Sequence, residues 1–418
     1  MYLNLSITDC LKINLRKLLR LHLISILLKK LNRGDTVVFT EEYCFLLKPS
    51  LSTPKKKLNL LLKENNQVLK SLGKEYKNDY NTKIVNKYKK FSNYRIIGMG
   101  GSSLGAQAIY DFFKKKIKKK FSFIDNLRMH SKNDNLNDST NLIISKSGNT
   151  IETIVNANII IKKKDKNIFI TENRNSYLYN LANKLKAEIV HHNNFIGGRY
   201  SVLSEVGMLP AELMGLNVKS FKQFNSLVNN KKFIDALISD VSSILYFSKK
   251  KKFNSIIINY DEQSENLFKW YQQLVAESLG KKKRGILPIV SNMPKDNHSV
   301  MQLYLDGFKN NFFTFFYTHE KQSQKINNNT ILYSQEFLKG KNLAEITYAQ
   351  KKATENVFKM KNIPFRSFEI KKRNEKTLGE LFSFFILETI LIGKSLNLNP
   401  YDQPAVELIK TETKNLLI

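Results

Sequence analysis

From about Lys83 onward the chain alternates short apolar runs with longer amphipathic ones, an order that few folds accept. "YRIIGMGG" (94–101) reads as a strand entering a glycine turn, and "LGAQAIYDFFKKKIK" carries on as a helix. "NLIISKSGNT" (141–150) is a second strand ending abruptly in hydroxyls, a helix continues through Asn158, and "NIFIT" (167–171) is a third strand. This βαβ rhythm demands a parallel sheet covered by helices on both faces. It then repeats: a helix at 233–247, strand "NSIIINY" (254–260), a helix at 265–280 and strand "ILPIV" (286–290), with further strands at 312–318 and 364–370 among long helices. Two stacked, doubly wound lobes divided near residues 219–232 account for the pattern. The layout expected is an N-terminal helical segment (1–82) packed on the body, a first α/β domain (83–225), and a second (226–418) closed by C-terminal helices.

A chain of 418 residues has room for two or three domains, and 42% apolar with 25% charged residues is the balance of an ordinary globular protein. Neither Cys10 nor Cys44 has metal-ligand spacing around it, which disfavours a disulfide scaffold or a zinc ribbon and favours a reducing cytoplasm. The 68 Lys and Arg against 36 Asp and Glu leave a net charge of +32, the kind of surplus a nucleic acid or a membrane surface attracts. The lysines are scattered in runs such as "KKKIKKK" (114–120), "KKKDK" (162–166) and "KKKKF" (249–253), at expected helix ends and loops where cations are favourable. They are therefore assigned to solvated surface, with no nucleic-acid and no membrane partner expected. The apolar stretch at 21–28 is too short to span a bilayer, contains His22 and Ser25, and precedes no small-residue cleavage site; an amphipathic helix is expected there.

Two polar loops follow expected strands. "GMGGSSLG" (98–105) opens a helix, the arrangement that cradles phosphate on backbone N–H groups. It fails as a dinucleotide fingerprint because Ser103 stands where the third glycine belongs, and as a P-loop for want of G-K-[ST]. The other loop supplies Ser145, Ser147 and Thr150 near a helix start, with Gly148 allowing close backbone approach. A helix cap needs one hydroxyl; a monophosphate has acceptors for all three. Elsewhere, "GGRYS" (197–201), "QQLVAESLGK" (272–281), "DNHS" (296–299) and "YDQPAVELIK" (401–410) are each weak alone, since Arg199 reads equally as a surface charge and His298 as a loop histidine. Glu277 is the most suggestive, because a carboxylate near a helix C-terminus opposes the helix dipole.

Taken in order, "GMGGSSLGAQAI", "ISKSGNT", "GGRYSVLSEVGMLP", "QQLVAESLGK", "DNHSVMQLYLDG" and "NPYDQPAVELIK" resemble the glucose-6-phosphate isomerase family in its shorter bacterial form, from about Lys83 to the C-terminus. The resemblance implies two sugar-isomerase (SIS) lobes, each a parallel-rich sheet between helix layers, in a homodimer with its active sites at the subunit interface. By that resemblance the phosphate loop falls on Ser145, Ser147 and Thr150, with Gly101 and Ser102 beside it. The catalytic base falls on Glu277, its neighbouring substrate contact on Gln273, and the arginine that stabilises the intermediate on Arg199. The ring-opening histidine falls on His298, donated across the interface, and the C-terminal lysine on Lys410, with Gln403 nearby. Asn149 departs from the family, which carries a hydroxyl residue there.

The chemistry suits those residue types. Ring opening needs an acid for the ring oxygen and a base for the anomeric hydroxyl, shared by His298 and Lys410. Glu277 would then move the C-2 proton to C-1, while Arg199 holds the enediolate charge, with no metal or redox cofactor required. Three alternatives remain open: a broader isomerase that also takes mannose 6-phosphate, a sugar-phosphate-binding regulator without catalysis, and a nucleic-acid binder resting on charge alone.

Overall fold

The computed structural model describes the backbone of residues 37–40 and residues 50–129, 139–162 and 165–418. The expected helix over 21–28 lies outside the described residues. Two five-stranded sheets form the framework. The first is wholly parallel, in the order β3-β2-β4-β5-β6, with β2 Asn93–Ile97, β3 Lys120–Ile124, β4 Thr140–Ile144, β5 Lys166–Thr171 and β6 Glu188–His191. Central β4 is buried at all five positions, as a strand between two helix layers must be. The chain leaves β2 toward β3 on one side and β4 on the other, so the sheet's order reverses between β2 and β4. That reversal opens a crevice at the carboxyl ends of these two strands.

β3 corrects the sequence reading, which ran the preceding helix through the lysines. The helix stops at Phe112, because the lysine run offers no apolar stripe to hold further turns against the body. Phe121 instead stacks on Tyr94 of β2, with ring centroids 4.5 Å apart, and pins the edge strand.

The second sheet has the order β1-β10-β9-β7-β8, with β7 Asn254–Asn259, β8 Leu287–Asn292, β9 Asn311–Thr318 and β10 Phe365–Ile370 all parallel. Strand β1, Val37–Thr40, joins its edge antiparallel to β10. Those four residues were expected in a helical segment; a β-branched and aromatic run beside an open sheet edge forms a strand instead. At this sheet's own reversal, between β7 and β9, Asp261 accepts hydrogen bonds from Ser264, Thr318 and Arg373, and Arg373 also pairs with Glu320. That crevice is bridged by the chain's own side chains.

One apolar core runs through both lobes. The helix Glu375–Ser395 is buried on nearly every face, and Trp270 of the helix Glu265–Leu279 packs edge-on against its Phe382 at 4.8 Å. Arg366 of β10 reaches Asp240 at 3.0 Å and also pairs with Glu388, tying the sheet to two helices. The abundant asparagines have a structural use: Asn66, Asn81, Asn230, Asn342 and Asn374 each cap a helix, worth about 1 kcal/mol apiece.

Candidate functional site

The two polar loops lie at the carboxyl ends of β2 and β4, on either side of the crevice. Thr150 is the N-cap of the helix Ile151–Ile160, yet its hydroxyl caps nothing. It lies 2.9 Å from the Ser145 hydroxyl instead, while Ser147 Oγ accepts from the Asn149 N–H at 3.2 Å. The helix-cap reading of Thr150 therefore fails, and the first-turn N–H groups carry no side-chain cap at an end suited to an anion. Gly148, at φ +67°, brings the loop within what would be 2.1 Å of Ser176 Oγ for any Cβ. Asn149 turns away to accept from the Tyr177 N–H at 2.9 Å, so it braces the loop from behind. Lys146, which sequence reasoning passed over, donates to the Asn194 carbonyl at 2.8 Å. Burial holds its pKa below the usual lysine range, against the opposing pull of the Glu172 carboxylate 3.7 Å away.

The first glycine loop presses against the residues expected to do chemistry. Gln273 and Glu277 sit one turn apart on one face of the helix Glu265–Leu279, and Gln273 Nε2 donates to Glu277 Oε1 at 2.9 Å. Gly100 has φ +53°, a backbone conformation that favours glycine, and a Cβ there would also displace that same Nε2, 2.6 Å away. Gln273 Oε1 is a buried acceptor with no partner among the described residues, and it suits an incoming hydroxyl. Arg199 is 2% exposed and donates through Nη1 to Glu277 Oε2 at 3.2 Å. Its other donors are also placed: Nε on Ser278 Oγ at 2.9 Å, Nη1 also on Gln403 Oε1, and Nη2 on the Pro400 and Asp402 carbonyls at 2.8 and 3.0 Å. A guanidinium so held is a fixed positive charge beside a carboxylate that opposes its own helix dipole. Glu277 and Gln273 line a cleft of about 500 Å³ with Gln107, Asp125, Asn266 and Lys269. Among the described residues no three His, Cys, Asp or Glu side chains gather as a metal site, and no helix is long and apolar enough to cross a membrane.

The family model described as phosphoglucose isomerase matches residues 2–417. The chain belongs to the phosphoglucose isomerase family. Among relatives, it is 34% identical over 351 residues to the glucose-6-phosphate isomerase of Methanocaldococcus jannaschii, covering 77% of this chain and 84% of that one. It is 32% identical to that of Campylobacter jejuni, over 78% and 85%. Among solved structures, a hypothetical protein of Thermus thermophilus superposes with a TM-score of 0.80 at 20% identity, over 91% of this chain and 99% of that one. The glucose-6-phosphate isomerase of Chlamydia trachomatis gives 0.65 at 17% identity, over 90% and 77%.

The remaining candidates divide. Gln403 reaches Arg199 from a loop that Lys281 clips to the end of the helix Glu265–Leu279 by its 2.6 Å pair with Asp402. His298, on the turn Lys295–His298 after β8, is exposed and is not joined to Glu277 within one chain. Lys410 is also exposed and pairs with Glu407 at 2.7 Å on the helix Ala405–Leu417, which buries none of its residues. Ser102 lies in the turn Gly100–Ser102, and its neighbour Gly101 packs directly on Gly198. Sequence reasoning also missed Ser278 and Tyr200, although each directly follows a residue it singled out.

Proposed function

We propose that the protein interconverts glucose 6-phosphate and fructose 6-phosphate through an enediol. The observation that carries the reading is the Glu277 carboxylate held between Gln273 and the buried Arg199, on an open cleft and against the glycine loop. The substrate's phosphate would lie at the carboxyl ends of β2 and β4, on the hydroxyls of Ser145, Ser147 and Thr150 and the N–H groups near Gly101 and Ser102. Once the ring is open, Glu277 takes the C-2 proton, the electron pair forms the C-1/C-2 double bond, and the carbonyl oxygen gathers negative charge. As Glu277 becomes neutral, the fixed Arg199 guanidinium beside it stabilises the charge on the new oxyanion without moving. The oxyanion takes a proton, the C-2 hydroxyl gives one up, and Glu277 returns its proton to C-1. No step calls on a metal or redox cofactor.

Ring opening belongs to His298 and Lys410, and we assign it to a homodimer in which His298 reaches the partner's cleft. The single chain leaves apolar surface that a second copy would cover. Leu408, Ile409 and Leu416 on the terminal helix, and Leu332, Tyr333 and Phe337 on the excursion after β9, are all strongly exposed. The site is placed in the cytoplasm, since a charged sugar phosphate crosses a bilayer poorly.

Isomerisation of fructose 6-phosphate in deuterated water tests the reading, with wild type beside Glu277→Gln. Wild type is expected to turn over with deuterium entering C-2, and the variant to lose about 10³-fold in kcat while still binding substrate. A wild type that binds the sugar phosphate without turnover overturns the catalytic reading.

A further inference from the structure

We infer that Ser278 and Tyr200 are positioning residues that fix Arg199 for the enediolate, a role that rests on the functional reading above. The warrant is the direction of a closed ring of hydrogen bonds. Arg199 Nε lies 2.9 Å from Ser278 Oγ, Ser278 Oγ lies 2.8 Å from the Tyr200 hydroxyl, and that hydroxyl lies 2.9 Å from the Pro400 carbonyl. An arginine can only donate and a carbonyl can only accept. One arrangement of protons satisfies both ends: Arg199 donates to Ser278, Ser278 to Tyr200, and Tyr200 to Pro400. The ring closes because Arg199 Nη2 also donates to Pro400 O, at 2.8 Å.

Such a ring blocks rotation of the guanidinium about its Nε, the motion that would swing Nη1 away from Glu277. Ser278 and Tyr200 are both fully buried, so water has no access to replace either hydroxyl. Burial also pushes the Tyr200 phenol upward in pKa, so its proton stays in place through the neutral range. Its four members come from three elements: Arg199 and Tyr200 from the turn Gly198–Leu203, Ser278 from the helix that carries Glu277, and Pro400 from the loop before the terminal helix. The ring holds the base's helix and the charge it works against in one register.

A device that holds the charge for the transition state acts on kcat and leaves ground-state binding alone. Ser278→Ala and Tyr200→Phe are each expected to lower kcat by about 10- to 100-fold, with KM for fructose 6-phosphate within about twofold. Affinity for a hydroxamate analogue of the enediolate should fall by the same factor as kcat. Thermal unfolding accompanies both variants, and Tyr200→Phe, which keeps the ring in the core, decides the matter if Ser278→Ala does not fold. An active wild type whose folded Tyr200→Phe variant keeps its kcat overturns the positioning role alone, as does a rise in KM at constant kcat. A wild type inactive on fructose 6-phosphate overturns the functional reading and this inference with it.

Discussion

Replacing Gly101 by alanine would drive a methyl group into the backbone that carries Arg199. An ideal Cβ at Gly101 lies 2.1 Å from the Gly198 carbonyl carbon, 2.3 Å from its oxygen and 2.5 Å from the Arg199 nitrogen. Ordinary contact begins at 3.4 Å, so one segment must retreat by 1.3 Å (3.4 − 2.1). Both partners are backbone, and no side-chain rotation relieves the clash. The glycine loop has little freedom to yield: a Cβ at Gly98 would already lie 2.8 Å from the Ile144 carbonyl, and Gln273 lies over Gly100. The displacement therefore passes to Gly198 and Arg199 and draws the guanidinium off Glu277. Misplacing a catalytic group by about 1 Å costs on the order of 10²-fold in rate. Overpacking adds a stability loss of about 1–3 kcal/mol. Steady-state kinetics on fructose 6-phosphate, with a denaturant melt alongside, read both quantities. Gly198→Ala is the comparison, since its Cβ meets only the Gly101 Cα, at 3.8 Å, and it should stay within about threefold of wild type. Wild-type kcat in Gly101→Ala, or equal damage in the two variants, would refute the steric argument.

Two further outcomes follow from buried and unpacked groups. Lys222 donates to the Ser71 and Leu203 carbonyls from the interior, and burial lowers its pKa to about 7. Below about pH 7 it is charged in both folded and unfolded states; from there to its ordinary 10.5 the unfolded chain holds a proton that the folded one has shed. Stability relative to Lys222→Met should therefore climb with pH through that window, and parallel denaturation midpoints for the two proteins across it would sink the idea. A chain ending at Pro404 lacks the terminal helix and Lys410; it should keep its circular dichroism spectrum, sediment as a monomer and lose activity. An active dimer without residues 405–418 would remove that helix from both roles.

Much of the framework was legible in the residues themselves. Apolar runs such as "LIIS" and "SIIIN" mark buried parallel strands because both faces of such a strand lie under helices, and that demand appears locally as continuous hydrophobicity. Gln273 and Glu277 share a face by helical spacing alone, and the glycine loop shows itself by composition. Strands β1, β3 and β6 were not legible, because short edge strands carry weak alternation and derive their order from a neighbour.

Chemistry needs contacts that no local pattern encodes. Arg199 meets Glu277 from 78 positions away and the Pro400 carbonyl from 201, and the lobes reach that register only by packing around Trp270 and the helix Glu375–Ser395. Ser278 and Tyr200 look like ordinary helix and turn residues until burial removes water and leaves each other as partners. Residue types and their periods determined which elements form and which side chains are suited to acid, base and phosphate work. Only tertiary structure decided which of those side chains meet, because long-range contact depends on close packing, and packing is a property of the assembled core.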